Sequence, residues 1–230
     1  METLQIANLD IDIIRKDIKN IHLAVYPPMG RVRVAVPLRV TDEALRLFAI
    51  SKISWIRKNQ RRFLSQDRQS PREYITGESH YFLWHRYLLE VDESTVTQGV
   101  ALKWKTKIKL SCAHGTTKEK RESLMNEWYR SQLKEIIPEL ITKWEEKIWV
   151  KSNDWRVKSM TTRWWSCSIL AKRIWLNLEL VKKPRHAIEY VIAHELTHLL
   201  EKHHNERFMG LMDEYFPTWR SVKLELNEVV

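Results

Sequence analysis

Glycine is scarce, at five in 230 residues, and neither the GxxxxGK pattern closed by Ser or Thr nor GxGxxG occurs. A backbone cradle for phosphates of either kind is therefore excluded. There are only two cysteines, Cys112 and Cys167. They make no disulfide framework and lack zinc-ribbon spacing. No stretch of 18 apolar residues exists, so no membrane-spanning helix is expected. The first twenty residues, METLQIANLDIDIIRKDIKN, mix acids and bases where a signal peptide needs an apolar run. A reducing cytoplasm is the expected location.

What is abundant is tryptophan and positive charge. Eleven tryptophans recur in apolar contexts such as Trp144, Trp149 and Trp175, which points to core filling more than to base stacking. The formal charge of +10 favours anionic partners, nucleotides or nucleic acid among them. The cations are spread along the chain, however, as on an ordinary solvated surface. Length and a 43% hydrophobic content suffice for a core without disulfides.

The first half reads as strands and turns. Ile21 to Tyr26 and the alternating run Arg31 to Val36 flank Pro27-Pro28-Met29-Gly30 and predict a hairpin. Thr41 caps a helix whose first turn carries Asp42 and Glu43. The basic run Arg57 to Arg62 falls near its end or in its continuation. Tyr81 to Val91 predicts a second hairpin without the usual Asn-Gly turn. Val100 to Cys112 predicts a further strand or pair.

From Thr117 the period changes to that of a long amphipathic helix, kinked or divided at Pro138. Strands are expected at 155–157 and 174–180, and Pro184 at the first position of the next helix. The change of period places a boundary near residue 115, between a strand-rich region 1–115 and a second region 116–230.

Chemistry concentrates in that second region. His194-Glu195-Leu196-Thr197-His198 lies in a helical apolar pattern. His194 and His198, four residues apart, share one helix face one turn apart. Two imidazoles so placed can take adjacent corners of a zinc tetrahedron. Glu195 lies about 100° round the axis. There it can serve as general base toward a water at the metal, the HExxH arrangement of a zinc hydrolase. A catalytic zinc takes a third protein ligand, for which His203, His204, Glu206, Asp213 and Glu214 are candidates. Spacing alone does not choose between His203 and His204.

His194 to His198 followed by His204-Asn205-Glu206-Arg207-Phe208 resembles the YgjP-like metal-dependent hydrolases, relatives of zinc metallopeptidases. Thr162-Arg163-Trp164-Trp165-Ser166-Cys167-Ser168 and Ile174-Trp175-Leu176-Asn177 resemble further motifs of that family. The resemblance implies an α+β fold: an N-terminal β-rich part with a helix, then a helical zincin-like core with a short antiparallel sheet. It implies His204 as third ligand. It also brings Arg163, Trp164 and Cys167 near the metal, with Arg163, Trp164 and Asn177 expected to bind substrate. Trp165 departs from the family's glycine and adds bulk beside the cleft. Cys167 as a fourth ligand would close the zinc and abolish catalysis.

Three functions follow. The first is proteolysis of a peptide or protein, with Zn2+ on His194, His198 and His204 and with Glu195 as base. The strand from Ile174 to Leu180 would pair with an extended peptide if its edge is open. The second is nucleotide hydrolysis at the same metal, or action on nucleic-acid-bound protein as in the SprT-like proteases. The third is a binding module that keeps the metal for structure, against which the intact Glu195 argues.

Overall fold

The computed structural model describes residues 2–26, 30–64, 72–160 and 164–226. The chain forms two compact units, Met1–Arg68 and Gln69–Val230.

The first unit is a four-stranded sheet with two helices. Strands β1 (Glu2–Ile6), β2 (Leu9–Lys16), β3 (His22–Tyr26) and β4 (Arg31–Pro37) lie in the order β1-β2-β4-β3. The expected pairing of β3 with β4 is present and antiparallel. The β1–β2 hairpin, turning at Ala7 and Asn8 with φ of 45° and 60°, was not anticipated. Helices α1 (Asp42–Ser51) and α2 (Ile53–Leu64) follow. Thr41 caps α1 by accepting a hydrogen bond from Ala44 N, as its sequence requires. Ile11, Val32, Val34 and Val36 alternate inward and close the core with Leu45, Ala49 and Ile56.

The second unit carries β5 (Ser79–Phe82), β6 (His85–Asp92), β7 (Ser94–Lys103) and β8 (Lys107–Ala113) in the order β5-β6-β8-β7. Helix α3 (Lys118–Ile148) runs unbroken through Pro138. A second sheet orders β10 (Trp165–Ser168), β11 (Arg173–Asn177) and β9 (Asp154–Lys158) as β10-β11-β9. It is antiparallel between β10 and β11 and parallel between β11 and β9. A 3-10 turn at Leu178–Lys182 and the helices α4 (Arg185–Thr197), α5 (Glu206–Tyr215) and α6 (Trp219–Leu226) complete the unit.

Two expectations are corrected here. The boundary falls between Arg68 and Gln69, not near residue 115. Leu89, Ile108 and Leu110 of the β5–β8 sheet bury their side chains in the same core as Met125, Leu133 and Ile137 of α3. A sheet with one apolar face needs such a cover, and α3 supplies it. Second, β11 is the middle strand of its sheet, so its backbone is occupied on both edges. It cannot take an added peptide, and residues 178–182 form a 3-10 turn instead of extending it. Pro184 stands one place earlier than expected, as the N-cap of α4.

Candidate metal centre

Helix α4 is buried over most of its length. Ala187, Ile188 and all of Tyr190 to Thr197 are buried. A helix so enclosed has its rotation and axial position fixed by packing, and therefore so do the polar side chains on it. His194 is 4% exposed, Glu195 1% and His198 9%.

The chain reverses directly after α4. His198 is its C-cap, and its backbone N–H still donates to His194 O. The Glu201 carboxylate accepts from His203 N, and His203 O accepts from Asn205 N. Asn205 then opens α5 by accepting from Phe208 N. This bend returns His204 over α4.

One ring nitrogen from each of His194, His198 and His204 lies within 4.8 Å of the others. The Nε2 atoms of His194 and His204 are 3.0 Å apart. Two corners of a zinc tetrahedron with Zn–N near 2.0–2.1 Å stand roughly 3.3 Å apart. His198 directs Nδ1 at Glu201 O, 3.1 Å away. A carbonyl only accepts, so Nδ1 carries the proton and Nε2 is left as the lone-pair donor. Burial holds all three imidazoles below the usual histidine range, and in His194 the neighbouring His198 and His204 add to it. They are thus neutral at neutral pH, the form that binds a metal. Among the described residues no partner lies within hydrogen-bonding reach of His194 Nδ1, which is buried. Three neutral, converging imidazoles are the donor set of an open catalytic zinc site, so the residues fit such an ion.

Aromatic rings enclose the triad. Phe208 of α5, 2% exposed, lies 4.9, 4.6 and 4.8 Å from the ring centroids of His194, His198 and His204. Trp165 stands 5.1 Å from His194, and Tyr190 5.7 Å. Burial, with the Glu195 charge second, pushes the Tyr190 phenol up to about 12. The packing of Phe208 on the three histidines and of Tyr190 on His194 was not foreseen. Their signal was position alone: Tyr190 precedes His194 by one helical turn, and Phe208 is the N3 residue of α5.

Residues 19–229 match the family described as "YgjP-like, metallopeptidase domain". The chain belongs to this YgjP-like family. Membership makes it a metallopeptidase relative, implies a divalent metal and a peptide substrate, and agrees with the α+β fold. Similar solved structures include two metallopeptidase zymogens. Abylysin of Pyrococcus abyssi is 16% identical, with 39% of this chain and 90% of that chain covered and a TM-score of 0.37. Jannalysin of Methanocaldococcus jannaschii is 23% identical, with 39% and 92% covered and a TM-score of 0.36. No curated protein sequence matches.

Of the residues expected to bind substrate in this YgjP-like chain, Arg163 lies outside the described residues; so does the side chain of Cys167, which was expected near the metal. Trp164 is half-buried, with its ring 5.3 Å from Lys183 Nζ. That ammonium is also 5.2 Å from the Trp84 ring, so one cation contacts two indoles. Asn177 is 4% exposed. Its carboxamide accepts from Met160 N and Glu179 N and donates to Met160 O. It thereby ties Met160 onto the end of β11.

Proposed function

We propose that this chain is a zinc-dependent peptidase in which His194, His198 and His204 hold the ion and Glu195 acts as general base. The observation that carries the reading is the convergence of the three ring nitrogens within 4.8 Å, with Glu195 on the same buried helix. When bound, zinc supplies Lewis acidity that lowers the pKa of a water and polarises the scissile carbonyl.

The residues of the chain do the rest. The three imidazoles orient the site and leave one side open to solvent, since His204 is exposed. The Glu195 carboxylate accepts the proton of the attacking water and delivers it to the departing amine nitrogen. The aromatic shell of Tyr190 and Phe208 keeps the surroundings of the ligands apolar, which strengthens charge interactions there.

A peptide substrate is preferred to a nucleotide or a nucleic-acid partner because the family is one of metallopeptidases. Charge adds little to the other readings. Many cations are already paired, as Lys103 and Lys107 are with Glu90, Lys109 with Asp92, and Arg156 and Arg173 with Asp154. No helix among the described residues is long and apolar enough to cross a membrane. The test is metal analysis of the purified protein, followed by cleavage of a peptide library and of nucleoside triphosphates, with Glu195→Gln as control. Equal hydrolysis by wild type and variant would defeat the reading.

A further inference from the structure

β10 begins at Trp165, and β10 is an edge strand of its sheet among the described residues. In register, Trp165 stands opposite Leu176 of β11. Its indole leaves the sheet on the side of α4 and meets two rings of that helix. The centroid of His194 is 5.1 Å away at a tilt of 58°, and that of Tyr190 is 6.0 Å away at 90°. His194 and Tyr190 are themselves 5.7 Å apart, which closes a triangle of three aromatic rings. Separations of this size are ring contact, so no side chain of a ligand enters between them.

The members of this triangle differ in exposure. Tyr190 is fully buried and His194 nearly so, while Trp165 is only partly buried. Trp165 is thus the one ring of the three that is not buried. It occupies volume directly beside a metal ligand, on a strand whose outer edge is unpaired among the described residues. A group lying against β10 beside His194 would compete with this indole for space. Smaller residues at position 165 would leave that volume to the ligand.

We propose that Trp165 is a specificity-determining residue, a steric wall that restricts the site beside His194 to small groups. The inference rests on the peptidase reading above for its substrate, but the wall itself is a property of the metal site. It therefore has a readout independent of turnover. Hydroxamates bind a metal through the same two oxygens whatever their substituent, so a series of graded size measures the free space next to the ion.

The experiment titrates the cobalt-loaded full chain with acetohydroxamate and with 2-naphthohydroxamate, following the visible cobalt band. Wild type is expected to prefer the acetyl compound. Trp165→Ala is expected to shift the affinity ratio toward the naphthyl compound by roughly tenfold or more, the discrimination typical of a changed pocket volume. Trp165→Leu and Trp165→Phe should fall between and keep the test alive if the alanine variant does not fold. An unchanged ratio across the series, or loss of the cobalt band in all three variants, would make Trp165 a mere support of His194 and overturn the proposal. Peptide cleavage is scored separately. A shifted ratio without any cleavage defeats the peptidase reading and leaves the wall standing. Cleavage without a shifted ratio does the reverse.

Discussion

His198 Nδ1 lies 3.1 Å from the carbonyl oxygen of Glu201, three residues further along the bend that follows α4. This bond fixes the tautomer of His198 and the path of the bend that returns His204. The same bend separates His204 from His203: both are exposed, yet among the described residues only His204 converges with His194 and His198. His204→Ala should weaken zinc retention at least about 100-fold, beyond the roughly 10–100-fold typical of changes to outer-shell partners. His203→Ala should change it less than about twofold. Competition against a fluorescent zinc chelator measures both, and equal losses would remove the ligand assignment.

Glu195 is 1% exposed and shares a helix with two of the ligands, yet it is not one of the three converging donors. Glu195→Gln keeps shape and volume and removes the base. Peptide cleavage should fall by roughly 10²–10⁴-fold, the range of a lost general base. Metal content should stay at the wild-type level. Parallel metal analysis and kinetics separate the two effects, and a variant that also loses its metal would count against a base role.

Much of the site was legible because its chemistry is local. The four-residue spacing of His194 and His198 needs only helical geometry, and Asn205 announces the cap of α5. The hairpin of β5 and β6 was legible from its two apolar-rich runs although its turn is Leu83-Trp84, with φ of 46° and 72°. Bulky residues accept that conformation because the tertiary structure holds it: Leu83 N donates to Val181 O and Trp84 N to Lys182 O. What was illegible is non-local. That β11 lies inside its sheet depends on a parallel partner, β9, some twenty residues earlier. That α3 and the β5–β8 sheet share one core depends on which apolar faces meet. Neither fact has a periodicity of its own. Local patterning therefore picked out His194, Glu195 and His198, left His203 and His204 as alternatives, and placed the boundary at the change of period near residue 115.

Phe208 touches all three imidazoles and is 2% exposed. Phe208→Ala would leave a cavity beneath the ligands and should cost about 3–5 kcal/mol of stability. Phe208→Leu keeps most of the volume and should cost less than about 1.5 kcal/mol. Urea unfolding of the metal-free proteins gives the stability, and chelator competition gives the zinc affinity. The alanine variant should lose affinity as well, because rings without a backstop sample more orientations. Retained affinity in a destabilised Phe208→Ala would show that α4 and the bend alone orient the ligands.

His80, far along the chain from the metal ligands, offers a test of burial through pH. It is 3% exposed, and burial lowers its pKa to about 4, against the opposing pull of Glu78. The unfolded chain should bind this proton near pH 6.5 and the folded chain only near pH 4. Between those values the unfolded state holds more protons, so stability falls as pH falls through the window and is flat for this group below it. The ceiling on the loss is about 3 kcal/mol, from about 1.4 kcal/mol per pH unit of difference. His80→Leu removes the titration and leaves the histidines of the metal centre unchanged. The difference between wild type and variant in urea midpoint, followed from pH 7 to pH 4, isolates the effect. Parallel curves for the two proteins would mean that His80 titrates alike folded and unfolded, and that its enclosure by Tyr74 and Glu78 does not exclude water.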